Sequence, residues 1–231
     1  MPSETIQAQF MYHQFLHKLT VARNWIRQRP FSLLAILLVS ALLLRALPYK
    51  NTTVGFDQVQ ILEEASKINS GDFTLIGPRT GPAQMFTGPL IYYFTVPFLL
   101  IFGDLATIVI VPLVLSVITG LAIYALVIKY KGPTEALLSV SVWAFSPLLI
   151  RLDRVFWNPN LLILATALLY FPLLDNKKNR YTPLFLCIGS FLAYQAHFSG
   201  FLLIGLALGT IILTKKHFTL LLAVIFGLLA S

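Results

Sequence analysis

The stretch that decides the fold is LATIVIVPLVLSVITGLAIYALVI, residues 105–128, which contains no charged side chain. A transmembrane helix needs about 20 mostly apolar residues to cross the hydrocarbon core of a bilayer. Residues 105–128 meet that length, and shorter apolar runs lie on both sides of them. The pattern predicts an all-α integral membrane protein, built as a polytopic helical bundle with a helical outer loop next to the membrane.

The composition of the whole chain agrees with this fold class. Of 231 residues, 57% are hydrophobic and 11% are charged, whereas soluble domains carry about 25% charged residues. The last apolar run begins at 218 and stops at 231, short of the length of a span, so we expect the N-terminal part of a longer protein. The other spans are predicted at 31–47, 135–150, 160–174, 183–196 and 199–214.

Polar side chains fall between the apolar runs in two alternating kinds of break. The basic kind contains Lys18, Arg23, Arg27, Arg29, Lys129, Lys131, Lys177, Lys178, Arg180, Lys215 and Lys216. The other kind contains Asp57, Glu63, Glu64, Arg151, Asp153, Arg154, Gln195 and His197. Because cytoplasmic loops collect Lys and Arg, the basic breaks and the N-terminus are predicted to be cytoplasmic. The other breaks then share the outer face of a bacterial or archaeal plasma membrane.

These basic breaks also account for the net charge of +8. The positive side chains are scattered between the spans and form no basic face, which argues against a nucleic-acid partner. Residues 1–30 are predicted to be a cytoplasmic tail or a helix on the membrane surface. Residues 31–231 form the transmembrane module, whose outer loop at 48–104 contains an amphipathic helix at 57–68.

Segment 86–103 decides the orientation of everything after it. The segment is apolar enough to span, and a span here would put the three later basic clusters outside. Two prolines, Pro89 and Pro97, interrupt it, and Tyr92 and Tyr93 suit a membrane interface. We therefore predict that the segment lies along the outer interface or re-enters, so that all the basic breaks stay cytoplasmic.

Asp57 is the first candidate for chemistry, because a carboxylate at the start of the loop helix can act as a general base or hold a divalent metal. It is equally a good N-cap, and Gln60 three residues later would complete a capping box. Glu64 lies seven residues after Asp57 and shares its helix face. The alternative for Glu64 is an ordinary solvated charge.

Two later breaks supply further candidates. Arg151 and Arg154 flank Asp153 on the predicted outer side, which would suit an anionic ligand such as a phosphate. An internal Arg–Asp pair with lipid headgroup contacts is the alternative. His197 follows Gln195 near membrane depth, where an ionisable side chain is costly; a neutral, hydrogen-bonded histidine is the alternative. Arg79 is a further candidate contact for an anion.

The order of these features resembles the membrane glycosyltransferases of the GT-C fold, of the bacterial lipid-A aminoarabinose transferase and protein O-mannosyltransferase type. The resemblance is carried by the Asp57-led helix, GPLIYY at 88–93, Phe102-Gly103-Asp104, Asn158-Pro159-Asn160-Leu161-Leu162 and YQAHFSG at 194–200. It covers nearly the whole chain, although each motif is short. Many relatives have Asp-Glu where this chain has Asp57-Gln58, a departure from the protein O-mannosyltransferase pattern.

The resemblance implies an inverting transfer of a sugar from a polyprenyl phosphate to a lipid, glycan or protein acceptor. Asp57 would take the proton of the acceptor hydroxyl or amine, directly or through a divalent metal. The arginines would stabilise the leaving phosphate, with further substrate contacts from the second break and the YQAHFSG stretch. The implied substrate-binding residues are Arg79, Arg151, Asp153, Arg154, Gln195 and His197, with Glu64, Tyr92 and Tyr93 as secondary candidates.

Two other classes of function remain open. A transporter or flippase would also have buried charges and proline-interrupted segments, but it should carry its polar residues near mid-span. A non-catalytic membrane scaffold is the second alternative. The sequence contains no glycine-rich phosphate loop, and its four histidines show no metal-binding spacing.

Overall fold

The computed structural model describes residues 4–47, 54–80, 85–174, 180–214 and 218–230, and it confirms the all-α class. The helices in these ranges are α1 Glu4–Gln28, α2 Pro30–Ala46, α3 Phe56–Asn69, α4 Leu90–Tyr130, α5 Pro133–Phe145, α6 Pro147–Asp153, α7 Leu161–Tyr170, α8 Thr182–Ala196, α9 Gly200–Leu213 and α10 Phe218–Leu229. Short 3-10 turns lie at Asn158–Asn160 and Pro172–Leu174. Two strands not predicted from the sequence, β1 Arg79–Thr80 and β2 Met85–Phe86, pair antiparallel.

Helix α4 is the one helix in the described ranges that is long and apolar enough by itself to cross a membrane. Helices α5 and α6 would make a second span if they are taken together, with a bend of 66° between them. The predicted span 135–150 is therefore broken. Pro147 has no N–H and disfavours helical backbone at the residue before it, and Ser146 is accordingly extended, with φ −66° and ψ 116°.

Helix α4 has its own break at Gly103. This residue has φ +72° and ψ 176°, a conformation that glycine adopts at little steric cost. The break divides the helix into a first arm, Leu90–Phe102, and a second arm, residues 104–130. The first arm covers most of the predicted segment 86–103 and is about 20 Å long at 1.5 Å per residue.

Three packed clusters form the interior of the described residues. One joins α2, the end of α4 and α5, and another joins α7, α8, α9 and α10. The cluster that positions the candidate site joins α3, both arms of α4 and the segment between α6 and α7. Its largest fully buried members include Ile61, Ile91, Tyr92 and Phe156. Helix α3 is thus packed against α4 and the segment between α6 and α7 through a shared apolar core.

Candidate functional site

The start of α3 is tied to the segment between α6 and α7, residues 153–160, which we call the α6–α7 break. Gln58 is 5% exposed, and its Nε2 donates to the carbonyl oxygen of Phe156 at 2.9 Å. Gln58 Oε1 accepts from the backbone N–H of Gly55 at 2.8 Å. One glutamine therefore satisfies the first turn of α3 and a buried carbonyl of the α6–α7 break.

The break after α8 joins the same region. Asn158 Nδ2 donates to the carbonyl oxygen of Ala196, and it lies 3.4 Å from Thr87 Oγ1. Gln195 Oε1 accepts from the backbone N–H of Leu90 at 3.0 Å, which satisfies a free donor at the start of α4. Residues 54–58, 87–90, 153–160 and 195–200 thus meet at one end of the helices, which we call the polar end.

Close backbone approach at the polar end depends on two glycines. A Cβ atom on Gly77 would lie 2.1 Å from the carbonyl oxygen of Gly88. A Cβ atom on Gly88 would lie 2.0 Å from Gln195 Oε1. Gly88 of the GPLIYY stretch is therefore required for steric reasons, because it makes room for the Gln195 amide. Gln195 itself is buried and serves the packing of α8 against α4.

Asp57 is exposed in the first turn of α3 and makes no hydrogen bond or ion pair with any residue in the described ranges. The predicted capping box of Asp57 and Gln60 is wrong. The helix begins one residue earlier, at Phe56, so that Gly55 is the N-cap and Gln58 occupies the third helical position. The Asp57 side chain therefore does not cap the helix, and its negative charge is favourable near the helix N-terminus.

Glu64 lies on the same flank of α3 as Asp57, as predicted from their spacing. Both charges act on the hydroxyl of Tyr92, which is 1% exposed in the core between α3 and α4. Glu64 Oε1 is 2.7 Å from Lys67 Nζ, and this hydrogen bond raises the pKa of the Lys67 ammonium. The Tyr93 hydroxyl donates to the Thr74 carbonyl at 2.8 Å. Glu64, Tyr92 and Tyr93 are thus engaged within the protein.

Asp153 is paired with a cation that was not predicted from the sequence. It is 4% exposed, and its Oδ2 accepts from Arg45 Nε at 2.9 Å and from Ser116 Oγ at 3.1 Å. Arg45 is 2% exposed and also donates to the carbonyls of Ala41, Ala144 and Trp143. Its guanidinium lies 4.5 Å from the centre of the Trp143 ring.

This arrangement differs from the predicted role of Asp153 as a ligand-binding acid. An internal Arg–Asp pair does form, but its arginine comes from α2 and not from the neighbouring Arg151 or Arg154. The available signal was Arg45 itself, a lone charge in the apolar run 31–47. A charge at that depth needs a partner.

The three arginines predicted to contact an anion differ in their environments. Arg154 Nη2 donates to the carbonyl oxygen of Leu44 at 2.7 Å, at the C-terminal end of α2. Its Nε is buried without a partner in the described part of the chain. Arg151 is exposed at the end of α6, and Arg79 is exposed on β1. Arg151 and Arg79 are therefore accessible to a ligand in solution.

His197 lies half-buried directly after α8 and contacts the turn into α9. Its Nδ1 accepts from the backbone N–H of Ser199 at 3.2 Å and lies 3.0 Å from Ser199 Oγ. This contact uses Nδ1 as the acceptor, which leaves Nε2 as the ring nitrogen that can donate a hydrogen bond.

The opposite end of the helices is basic. Lys129 Nζ lies 4.8 Å from the centre of the Tyr181 ring and 5.5 Å from that of Phe185. This contact joins the end of α4 to the start of α8, while Arg180 lies over the same tyrosine ring. Four further predicted basic residues, Lys177, Lys178, Lys215 and Lys216, lie outside the described residues.

The polar end does not fit a metal held by protein ligands alone. Across the described residues, no group of three or more His, Cys, Asp or Glu side chains could hold a metal ion. Asp57 and Glu64 could offer only two carboxylates.

No family model, curated protein or solved structure matches this chain.

Proposed function

We propose that this protein is a membrane glycosyltransferase that moves a sugar from a polyprenyl phosphate to an acceptor hydroxyl or amine at the outer membrane face. The observation that carries the proposal is the meeting of Asp57, an open carboxylate, with the α6–α7 break and the His197 turn at one end of the helices. The GT-C resemblance stated above supports the same function. The acceptor is a lipid, a glycan or a protein.

Unused hydrogen-bonding atoms in the α6–α7 break support a polar ligand there. Arg154 Nε and Trp157 Nε1 are buried donors without partners in the described ranges, and Asn160 Oδ1 is a buried acceptor without one. Buried polar atoms are nearly always paired in native proteins, so each such atom needs an explanation. Sugar hydroxyls and phosphate oxygens together supply both acceptors and donors, which matches this set of atoms.

An apolar groove supports a lipid-linked donor. The groove has a volume of about 540 Å³ and lies between α4, α5, α6 and α7. Its hydroxyls are used internally: Ser139 and Thr166 donate to carbonyls one turn earlier in their helices, and Tyr170 donates to the Leu203 carbonyl. Apart from the Trp143 indole, whose Nε1 is buried without a partner in the described ranges, the remaining lining side chains are apolar. Leu149 connects the groove to the helix that ends at Asp153.

The proposed reaction forms one bond and breaks another. Asp57 accepts the proton of the acceptor hydroxyl or amine as its oxygen or nitrogen attacks the anomeric carbon. The anomeric carbon–oxygen bond to phosphate breaks, and the polyprenyl phosphate leaves with the electron pair. Arg151 and Arg79 stabilise the charge on that phosphate, and His197 Nε2–H donates to the sugar or the phosphate.

The membrane arrangement is part of the proposal. The second arm of α4 crosses the bilayer, α5 with α6 forms a bent crossing, and the shorter apolar helices complete a polytopic bundle. The first arm, at about 20 Å, is shorter than the roughly 30 Å hydrocarbon core and so lies at or re-enters the outer interface. The basic end is then cytoplasmic, in accordance with the positive-inside rule.

A transporter or flippase is the second candidate, favoured by the bent α5–α6 pair and the buried Arg45–Asp153 pair. Broken helices and intramembrane charges are common features of transport pathways. Four donor contacts of Arg45, however, end on groups of the protein itself. That closed geometry suits a structural pair better than a transport site.

The test is a transfer assay in proteoliposomes supplied with radiolabelled polyprenyl-phosphate hexoses and a membrane lipid extract. Asp57→Asn keeps the shape of the side chain and removes the base, and we expect loss of transfer. Glu63→Gln is the matched control, since Glu63 is exposed on the same helix and has no assigned role. Equal transfer by both variants would contradict the proposed base. Movement of the intact donor between leaflets, without cleavage, would favour the flippase.

A further inference from the structure

Gln58 uses both ends of its side-chain amide in one buried site. Its Oε1 accepts from Gly55 N–H, and its Nε2 donates to the carbonyl oxygen of Phe156, at 2.8 Å and 2.9 Å. Gln58 is 5% exposed and Phe156 is 1% exposed. The amide therefore joins two segments that are far apart in the sequence, with little access of water to replace either bond.

The segment on the far side of this amide is itself held in place. Phe156 follows Asp153 by three residues, and Asp153 is bound to Arg45 of α2 and Ser116 of α4. The α6–α7 break is thus attached to two helices through the ion pair and to α3 through Gln58. A continuous path of contacts leads from the Arg45–Asp153 pair to the residue next to Asp57.

We propose that Gln58 is a positioning residue that holds Asp57 at the α6–α7 break for the sugar transfer proposed above, on which this inference rests. Asp57 precedes Gln58 in the first turn of α3, so the position of that turn sets where the Asp57 Cα atom lies and where its Cα–Cβ bond points. Asp57 has no partner of its own in the described ranges. The Gln58 amide links the residue next to Asp57 to the break that carries the unused polar atoms.

The chemistry of the site requires an amide at position 58. A carboxylate only accepts hydrogen bonds, so a glutamate here would keep the bond from Gly55 and lose the one to Phe156. Its second oxygen would face the Phe156 carbonyl oxygen, with two electron-rich atoms in contact.

The test uses Gln58→Glu with Gln60→Glu as the matched control. The two variants make the same chemical change two residues apart, but Gln60 is half-exposed and makes no hydrogen bond in the described ranges. Nitroxide labels at Ser66 and Leu148, both exposed, report the distance between α3 and α6 in a Cys187→Ser background. The full chain is reconstituted in lipid nanodiscs, and double electron–electron resonance gives the distance distribution.

At neutral pH we expect Gln58→Glu to shift or broaden the 66–148 distance distribution, while Gln60→Glu leaves it unchanged. Transfer should fall by about 100-fold through kcat, the size of effect expected when a reacting group is misplaced by about 1 Å. Acidification should reverse the distance change, because a protonated carboxyl can donate to the Phe156 carbonyl. The ordinary glutamate pKa is about 4.3, and burial beside an acceptor raises it.

An unchanged distance in Gln58→Glu would overturn the proposal, as would a changed distance with unchanged kcat. If Gln58→Glu does not fold, Gln58→Met supplies a neutral side chain of similar length without a donor. A native distance and full transfer in Gln58→Met would also overturn it. The distance is measured without substrate, so it reports on the Gln58–Phe156 contact whether or not transfer occurs. Absence of transfer in the wild-type protein would contradict the proposed function and would leave the test of this contact intact.

Discussion

The start of α3 and the end of α6 each carry an aspartate, and the two sites differ in whether a cation reaches them. Asp153 is 4% exposed and shares its Oδ2 between Arg45 and Ser116. Asp57 is exposed and has no such partner in the described ranges. Both were predicted as acids of one outer face from their positions between apolar runs. The sequence positions of the two aspartates predicted the part of the molecule in which they lie. The chemistry of each carboxylate depends instead on the side chains that contact it.

The largest expected effect comes from replacing Asp57, the exposed carboxylate. Asp57→Asn should lower kcat by about 10² to 10⁴-fold, the contribution of a general base. It should lower the thermal unfolding midpoint in detergent only slightly, because a charge at a helix N-terminus contributes about 0.3–1 kcal/mol. Radiolabelled transfer and a melting curve on the same preparation measure the two effects. A large fall in both together would mean that Asp57 is mainly a stabilising residue, and the contrast with Asp153 would be lost.

Removing the cation that is paired with Asp153 should lower the stability of the protein. Arg45→Met removes the cation and leaves the Asp153 carboxylate buried with only the Ser116 hydroxyl as a donor, and breaking a buried ion pair in this way costs about 3–5 kcal/mol. Equilibrium unfolding in a mixed-micelle denaturant series measures this loss against wild type. A change below about 1 kcal/mol would show that water reaches Asp153, in conflict with the buried geometry.

Removing both charges sharpens that result. Replacement of a buried ion pair by apolar side chains is often neutral or stabilising, so Arg45→Met combined with Asp153→Leu should recover most of the stability lost in Arg45→Met. The same unfolding series completes the double-mutant cycle with Asp153→Leu. Additive losses in the double variant would indicate that the two side chains do not interact.

A smaller loss is expected from steric crowding at the polar end. Gly88→Ala places a methyl group 2.0 Å from the unsubstituted position of Gln195 Oε1, and such overpacking costs about 1–3 kcal/mol. Gly205→Ala is the matched control, because a Cβ atom there meets nothing within 4 Å. Equal melting temperatures for the two variants would mean that Gln195 does not pack against Gly88.

The smallest effect concerns the exposed Glu64–Lys67 pair. Glu64 raises the pKa of Lys67 above its ordinary value of 10.5. A raised pKa in the folded state gives a contribution to stability that is present below the unfolded-state pKa and is lost as the pH rises through the folded-state pKa. Lys67→Met should therefore lower the melting temperature slightly at pH 8, and this effect should disappear as the pH rises through the raised pKa of Lys67. An effect independent of pH would exclude the charge interaction.

Much of the fold could be predicted from the sequence because apolar length and proline position act locally. The predicted helix 57–68 and span 199–214 lie within two residues of Phe56–Asn69 and Gly200–Leu213. The bend at Ser146-Pro147 and the glycine break at 103 were missed, although both residue types were visible. An apolar run does not reveal where its backbone hydrogen bonds are interrupted.

The candidate site could be predicted only in part. The seven-residue spacing predicted that Asp57 and Glu64 lie on one flank of a helix. The alternation of basic and other breaks predicted that Gln195 and the α6–α7 break lie at one end of the helices. The partners of each side chain could not be predicted, because Arg45 and Asp153 are 108 residues apart and their contact depends on tertiary packing. The roles of Gln58 and Gly88 likewise depend on contacts between distant segments.

The most direct test of the account is the accessibility of single cysteines to an impermeant thiol reagent in intact cells. The positions are Asp57, Phe198 and Lys131 in a Cys187→Ser background, with permeabilised cells as the control for reactivity. We predict that cysteines at 57 and 198 are labelled from outside and that the one at 131 is labelled only after permeabilisation. Labelling at 57 and 131 but not at 198 would contradict the account, because the polar breaks would then lie on opposite faces.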